Sequence, residues 1–164
     1  MKTTKIRKLW MGLLAALAVS TLGLSGPLQN ALAHEADCEY CDLPIVQDTK
    51  TQDNETKVRV GKKRLEYRCV FCAIAEIKEE FSKSDATIYA PSEKKGRPVI
   101  VKYVKGKWSA SPASAVFLKA PVKHRQCHLG YRAFTSKAAL AAGAKKNGWP
   151  NKPLSLSQMV AISK

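Results

Sequence analysis

Polar and apolar residues alternate over Lys57-Val-Arg-Val60, Gly61 breaks the run, and alternation resumes over Arg64-Leu-Glu-Tyr-Arg68. A period of two, interrupted by glycine, predicts a β-hairpin. The period then changes. Val70, Ile74, Ile77 and Phe81 recur at helical spacing, with Glu76, Lys78, Glu79 and Glu80 on the outer face, which predicts a helix over 70 to about 81. Beyond Ser82-Lys-Ser84, β-branched and aromatic runs at 87–90, 98–104 and 115–118 are bounded by Gly and Pro and read as strands, with Lys105-Gly106-Lys107 as a tight turn. A further strand is expected at 130–134. Ser136 is placed to cap a helix from 137 to about 146 that Gly148 stops. A last short helix, about 157–162, is expected to pack Met159 and Ile162 on the body. This order is that of an α+β fold: small antiparallel sheets with helices. It has a Cys-rich half (34–83) and a strand-rich half (84–164), each running strands then helix, without a sequence repeat.

The first 33 residues stand outside that pattern. Lys2, Lys5, Arg7 and Lys8 precede an apolar run from Met11 to Leu24, and Ala31-Leu32-Ala33 offers small residues for cleavage. Fourteen apolar residues fall short of the roughly 20 needed to span a bilayer. The expectation is a signal peptide, 1–33, cleaved after Ala33, and a mature domain, 34–164, that is periplasmic or secreted. The absence of a twin-arginine pair favours the Sec route. The chain has 28 Lys and Arg against 13 Asp and Glu, a net charge of +15; without the four basic residues of the leader it is +11. Export argues against nucleic acid as the partner. The remaining uses of such a field are solubility, weak attraction to an anionic membrane surface, or an acidic protein partner.

Export also changes how the five cysteines are read, because thiols oxidise outside the cytoplasm. Cys38/Cys41 and Cys69/Cys72 are two Cys-x-x-Cys pairs with 27 residues between them, enough to supply four sulfurs to one tetrahedral ion. Cys38 and Cys41 fall in a turn-rich segment with little apolar material, and Cys69 and Cys72 straddle a helix start. Knuckle, hairpin and helix in that order form a treble-clef-like ββα unit. A helix N-terminus offsets thiolate charge through its dipole. Two local disulfides are an alternative, as is a thiol–disulfide oxidoreductase using Cys69/Cys72. The tryptophan usual before such a redox pair is here Arg68. A module in which every cysteine is structural completes the alternatives.

The fifth cysteine lies in His124-Arg-Gln-Cys127-His128. His124, Cys127 and His128 put two of the chain's three histidines beside the odd thiol. Sulfur with imidazole favours Cu(I) or Zn(II) over hard cations, whereas the plainer reading is exposed histidines around a small buried thiol. His34, at the expected mature N-terminus, is a weaker candidate for chelating copper through its amine and ring.

Three stretches carry a family resemblance: Val101-Lys-Tyr-Val-Lys-Gly-Lys-Trp-Ser-Ala110, Ala115-Val-Phe-Leu118 and Leu129-Gly-Tyr-Arg-Ala-Phe-Thr-Ser-Lys137. With the opening Cys38-Glu-Tyr-Cys41-Asp-Leu, they resemble the NosL-type accessory proteins, copper carriers for nitrous oxide reductase. The likeness runs over about 38–160, in order and spacing more than in identity. It implies treble-clef-like ββα units shared distantly with organomercurial lyase, copper (Cu(I)) as the carried metal, with zinc and/or copper at a structural four-cysteine site, and a metal-receiving client protein in the cell envelope. The family usually has Gly-Met after its second early cysteine, where this chain has Asp42-Leu43. Its later Pro-Met-Gly segment falls near Cys127-His128-Leu129-Gly130, so methionine ligands look replaced by Cys and His. The extra pair Cys69/Cys72 resembles a structural zinc knuckle. A lyase related to the mercurial enzyme would need a cysteine pair with a nearby acid, and the sequence does not place an Asp beside Cys72 and Cys127.

Overall fold

The computed structural model describes residues 35–46, 55–121 and 129–163. Strand β1 (Glu35–Asp37) pairs antiparallel with β2 (Pro44–Val46), Asp37 opposite Pro44. So polar a segment does not predict this small ribbon. It exists because the intervening knuckle turns the chain back on itself.

β3 (Thr56–Val60) and β4 (Lys63–Tyr67) form the hairpin read from the alternation, with Thr56, Val58 and Val60 of β3 and Tyr67 of β4 buried. The two-residue turn begins at Gly61, whose φ of 57° is open to glycine at no steric cost. Helix α1 (Val70–Glu79) follows at once, burying Val70, Ala73, Ile74 and Ile77. It ends two residues before the expected limit, so Phe81 packs from beyond its C-cap, Glu80.

β5 (Ala86–Ala90) pairs with β3, then with β6 (Val99–Val104), and β6 with β7 (Lys107–Ser111). The result is one five-stranded antiparallel sheet in the order β4-β3-β5-β6-β7, whose strands come from both sides of residue 84. Strand β7 is an addition to the elements expected from sequence. Its Lys-Trp-Ser-Ala-Ser has a weak apolar pattern, and pairing with β6 through Lys105-Gly106, both at positive φ, creates it.

β8 (Val116–Pro121) and β9 (Leu129–Phe134) make a separate ribbon. α2 (Lys137–Asn147) starts at Ser136, whose hydroxyl accepts from the Ala139 amide, and stops at Gly148 in the left-handed region. It rests Leu140 and Ala144 on Val116, Leu118 and Phe134. α3 (Leu156–Ile162) opens on a capping box between Ser155 and Gln158. Met159 is buried as expected. Ile162 is not: it is 41% exposed, because so short a helix turns a single face inward.

The main core joins the sheet's Val58, Ile88, Val99 and Val101 to Ile74 and Ile77 of α1, with Phe117, Ala133 and Met159 closing the other side. All of this lies within the unit Ala33–Lys164. Among the described residues no helix is long and apolar enough to cross a membrane. The α+β class with small antiparallel sheets is as the sequence implied. α1 is held in the middle of this arrangement, which fixes the position of its first turn and of the cysteines there.

Candidate metal centre

Two local structures build the site. In the knuckle, the Cys38 amide donates to the Leu43 carbonyl at 3.0 Å and the Asp42 amide to the Cys38 carbonyl at 2.9 Å. Asp42 takes a φ of 54°, the left-handed region that Asp tolerates better than most residues. That bend folds Cys41 back beside Cys38. In the second structure, β4 ends at Tyr67, Arg68 connects, and Cys69 is the N-cap of α1, placing Cys72 in the first turn. The Glu39 amide, donating to Glu66 of β4 at 3.4 Å, ties the knuckle to the hairpin.

The two pairs meet. The sulfurs of Cys38, Cys41 and Cys72 lie within 4.8 Å of one another. Cys72 Sγ is 3.8 Å from Cys41 Sγ and 3.7 Å from Cys69 Sγ. A tetrahedron of metal–sulfur bonds about 2.3 Å long has sulfur–sulfur edges of about 3.8 Å. Cys72 is therefore the hub, with Cys69 beside it but outside the tight triad. All four thiols are unbridged. Cys38, Cys69 and Cys72 are buried, and Cys41 is half-buried at the rim.

The electrostatics favour thiolates at two of the four. The Cys38 thiol falls from 9.0 to about 5, chiefly through its hydrogen bond with Cys72 and helped by backbone amides of Arg68, Tyr40 and Cys41, while burial opposes. Cys69 falls to about 6, again chiefly through Cys72, against its own burial, with the Cys72 and Tyr131 amides and the Arg68 guanidinium assisting. Cys72 rises because it keeps its proton between Cys38 and Cys69. Burial raises Cys41. A soft cation bound by these sulfurs would displace the protons that Cys72 and Cys41 favour keeping.

The surroundings are acidic on one side. Tyr40 donates its hydroxyl to Glu79 at 3.3 Å. Burial, then Glu80, Glu79, Glu39 and the Cys38 sulfur, raise the Glu76 carboxyl. Tyr67 is fully buried, and its hydroxyl has no hydrogen-bond partner among the described residues. Burial raises that phenol first, followed by the charges of Glu76, Glu39, Cys38 and Cys72.

The expected second constellation, His124, Cys127 and His128, lies outside the described residues, as does His34. Sequence reading missed the part played by Tyr67 and by the carboxylates around the cluster. The signal for the latter was present, since Glu76, Glu79 and Glu80 stand four, seven and eight residues after Cys72 and so share its face of α1.

No known sequence family matches the chain, and neither does any curated protein. Among solved structures, the crystal structure of the mercury-bound form of MerB2 matches with a TM-score of 0.56 and 14% identity, over 80% of this chain and 66% of that one. In fold, this chain is similar to MerB2. At that identity the likeness concerns the fold alone, and the chain spans just under two thirds of MerB2. It supports the fold relationship expected from the sequence; membership of the NosL family is not shown by it.

Proposed function

We propose that this protein is an exported soft-metal-binding protein that holds one thiophilic ion, Cu(I) or Zn(II), at Cys38, Cys41, Cys69 and Cys72. The observation that carries this reading is the approach of sulfurs from distant segments to tetrahedral-edge distances around Cys72. Four thiols gathered in a largely buried site, two of them lowered into the thiolate range, suit a soft cation far better than a hard one. The mercury bound to MerB2, the fold neighbour, is a soft metal too, which is consistent with this choice. Half-exposure of Cys41 suits a carrier that passes its ion to a client in the cell envelope, as the NosL resemblance suggests. His124, Cys127 and His128 are proposed as a second soft-ligand set for that transfer. Export rests on the leader at 1–33.

Thiol–disulfide exchange through Cys69/Cys72 fits less well. Their side chains are 5% and 3% exposed, and a redox dithiol needs one sulfur open to attack by its substrate. The test is titration of the reduced, metal-free protein with Cu(I) or Cd(II) under anaerobic conditions. The expected result is a thiolate charge-transfer band that Cys72→Ser removes while the far-ultraviolet circular dichroism is kept. Absence of that band in the parent protein would refute the proposal.

A further inference from the structure

A protein of net charge +15 should repel a metal cation, yet the face of the sulfur cluster carries the opposite sign. Glu76 and Glu79, four and seven residues after Cys72, lie on the same side of α1, and Glu80 follows at its C-cap. Glu39 stands between Cys38 and Cys41 in the knuckle, and Tyr40 bonds the knuckle to Glu79. From Glu35 to Asp48 the sequence has no lysine or arginine. The one lysine in this part of α1, Lys78, turns away and donates to the carbonyls of Val160 and Ser163 at the end of α3. Arg68 is a basic group beside Cys41 and Cys69.

The stripe is a poor choice for the helix itself. Glu76 repels Glu79 and Glu80 at i+3 and i+4, each such pair being unfavourable by a few tenths of a kcal/mol. Glu79 and Glu80 also sit at the C-terminal end, where the helix dipole disfavours negative charge. Near Glu76 and Glu39 the fully buried Tyr67 hydroxyl lacks a hydrogen-bond partner among the described residues. Local rules broken together beside one site point to a role for that site.

We infer that Glu39, Glu76, Glu79 and Glu80 form an acidic approach to the cysteine cluster that captures the cationic metal and guides it to Cys72 against the positive field of the rest of the protein. This deepens the soft-ion reading and rests on it. Carboxylates lining one side of a site raise the local cation concentration, and such focusing changes on-rates by about 10- to 1,000-fold. The carboxylates steer the ion and do not ligate it in its final place, so they act on the rate of capture more than on the number of ions held.

The experiment is stopped-flow mixing of Cd(II) with the reduced, metal-free full chain. It follows the cadmium–thiolate band at two concentrations of sodium perchlorate, an anion that complexes Cd(II) poorly. At about 0.01 M salt, charges act over about 30 Å, and at 1 M over about 3 Å. If the acidic approach governs capture, the parent's rate falls as salt rises. Glu39→Gln/Glu76→Gln/Glu79→Gln then binds about tenfold more slowly at low salt, to the same final absorbance. A parent rate that rises with salt, as the net charge alone dictates, would overturn the inference, and so would a triple variant as fast as the parent. Failure of the parent to develop any band would instead remove the soft-ion reading and the inference with it.

Discussion

Cys41 and Cys72 are 31 residues apart in the chain, and their sulfurs are 3.8 Å apart. One arrives on a knuckle with little core of its own, the other on the best-buried helix of the fold. Cys72 also touches Cys69, whereas Cys69 stands outside the triad with Cys38 and Cys41. The four cysteines should therefore contribute unequally. Cys41→Ser is expected to weaken Cd(II) binding by about 100-fold, since it leaves the knuckle with a single sulfur. Cys69→Ser should cost about tenfold or less and leave a three-sulfur site. Chelator competition measures both, and equal losses would contradict the hub arrangement.

Glu76 gives a pH dependence with a definite sign. Burial first, and then its acidic neighbours, raise its carboxyl above 4.5 in the folded protein. A raised carboxyl stabilises the fold while protonated, below its unfolded value, and that contribution is lost as pH rises through the folded value. Glu76→Gln should consequently raise the Tm of the metal-free protein at pH 7 and leave it unchanged near pH 4. Thermal melts at the two pH values check this. A variant less stable than the parent at pH 7 would contradict it.

Gly143 lies where α2 crosses β9, and a Cβ there would sit 2.8 Å from Cε1 of Phe134, a buried ring that packs on Leu140. Alanine normally favours a helix over glycine by about 1 kcal/mol. Here overpacking of about 1–3 kcal/mol should outweigh it. Gly143→Ala is expected to lower the urea midpoint, and adding Phe134→Leu should recover part of that loss.

Asp42 marks the bend that folds the knuckle, at a φ of 54°. Glycine occupies that conformation without steric strain, at some cost in chain entropy. Asp42→Gly should stabilise the metal-free protein by about 0.5 kcal/mol and leave metal stoichiometry unchanged, as denaturant melts and Cd(II) titration would show.

Much of the fold was legible in the chain because its signals are local. The hairpin at 56–67 follows from alternation and Gly61, α1 from its apolar stripe, and α2 from Ser136 and Gly148. The cysteine spacing likewise made a four-sulfur cluster a reasonable expectation. What lay beyond the sequence was whatever depends on partners far along it. β1, β2 and β7 have too little apolar pattern to declare themselves and exist by pairing with neighbours. Ile162 is inward by residue type, whereas the docking of α3 through Met159 leaves it in solvent. The distinction between Cys69 and the triad, and the meeting of the knuckle with the carboxylate side of α1, come from how α1 packs against the knuckle. Residue types and spacing determined which groups were available. Packing of α1 between the sheet and the β8/β9 ribbon decided where they meet, because burying its apolar face leaves one orientation for the sulfurs and the glutamates.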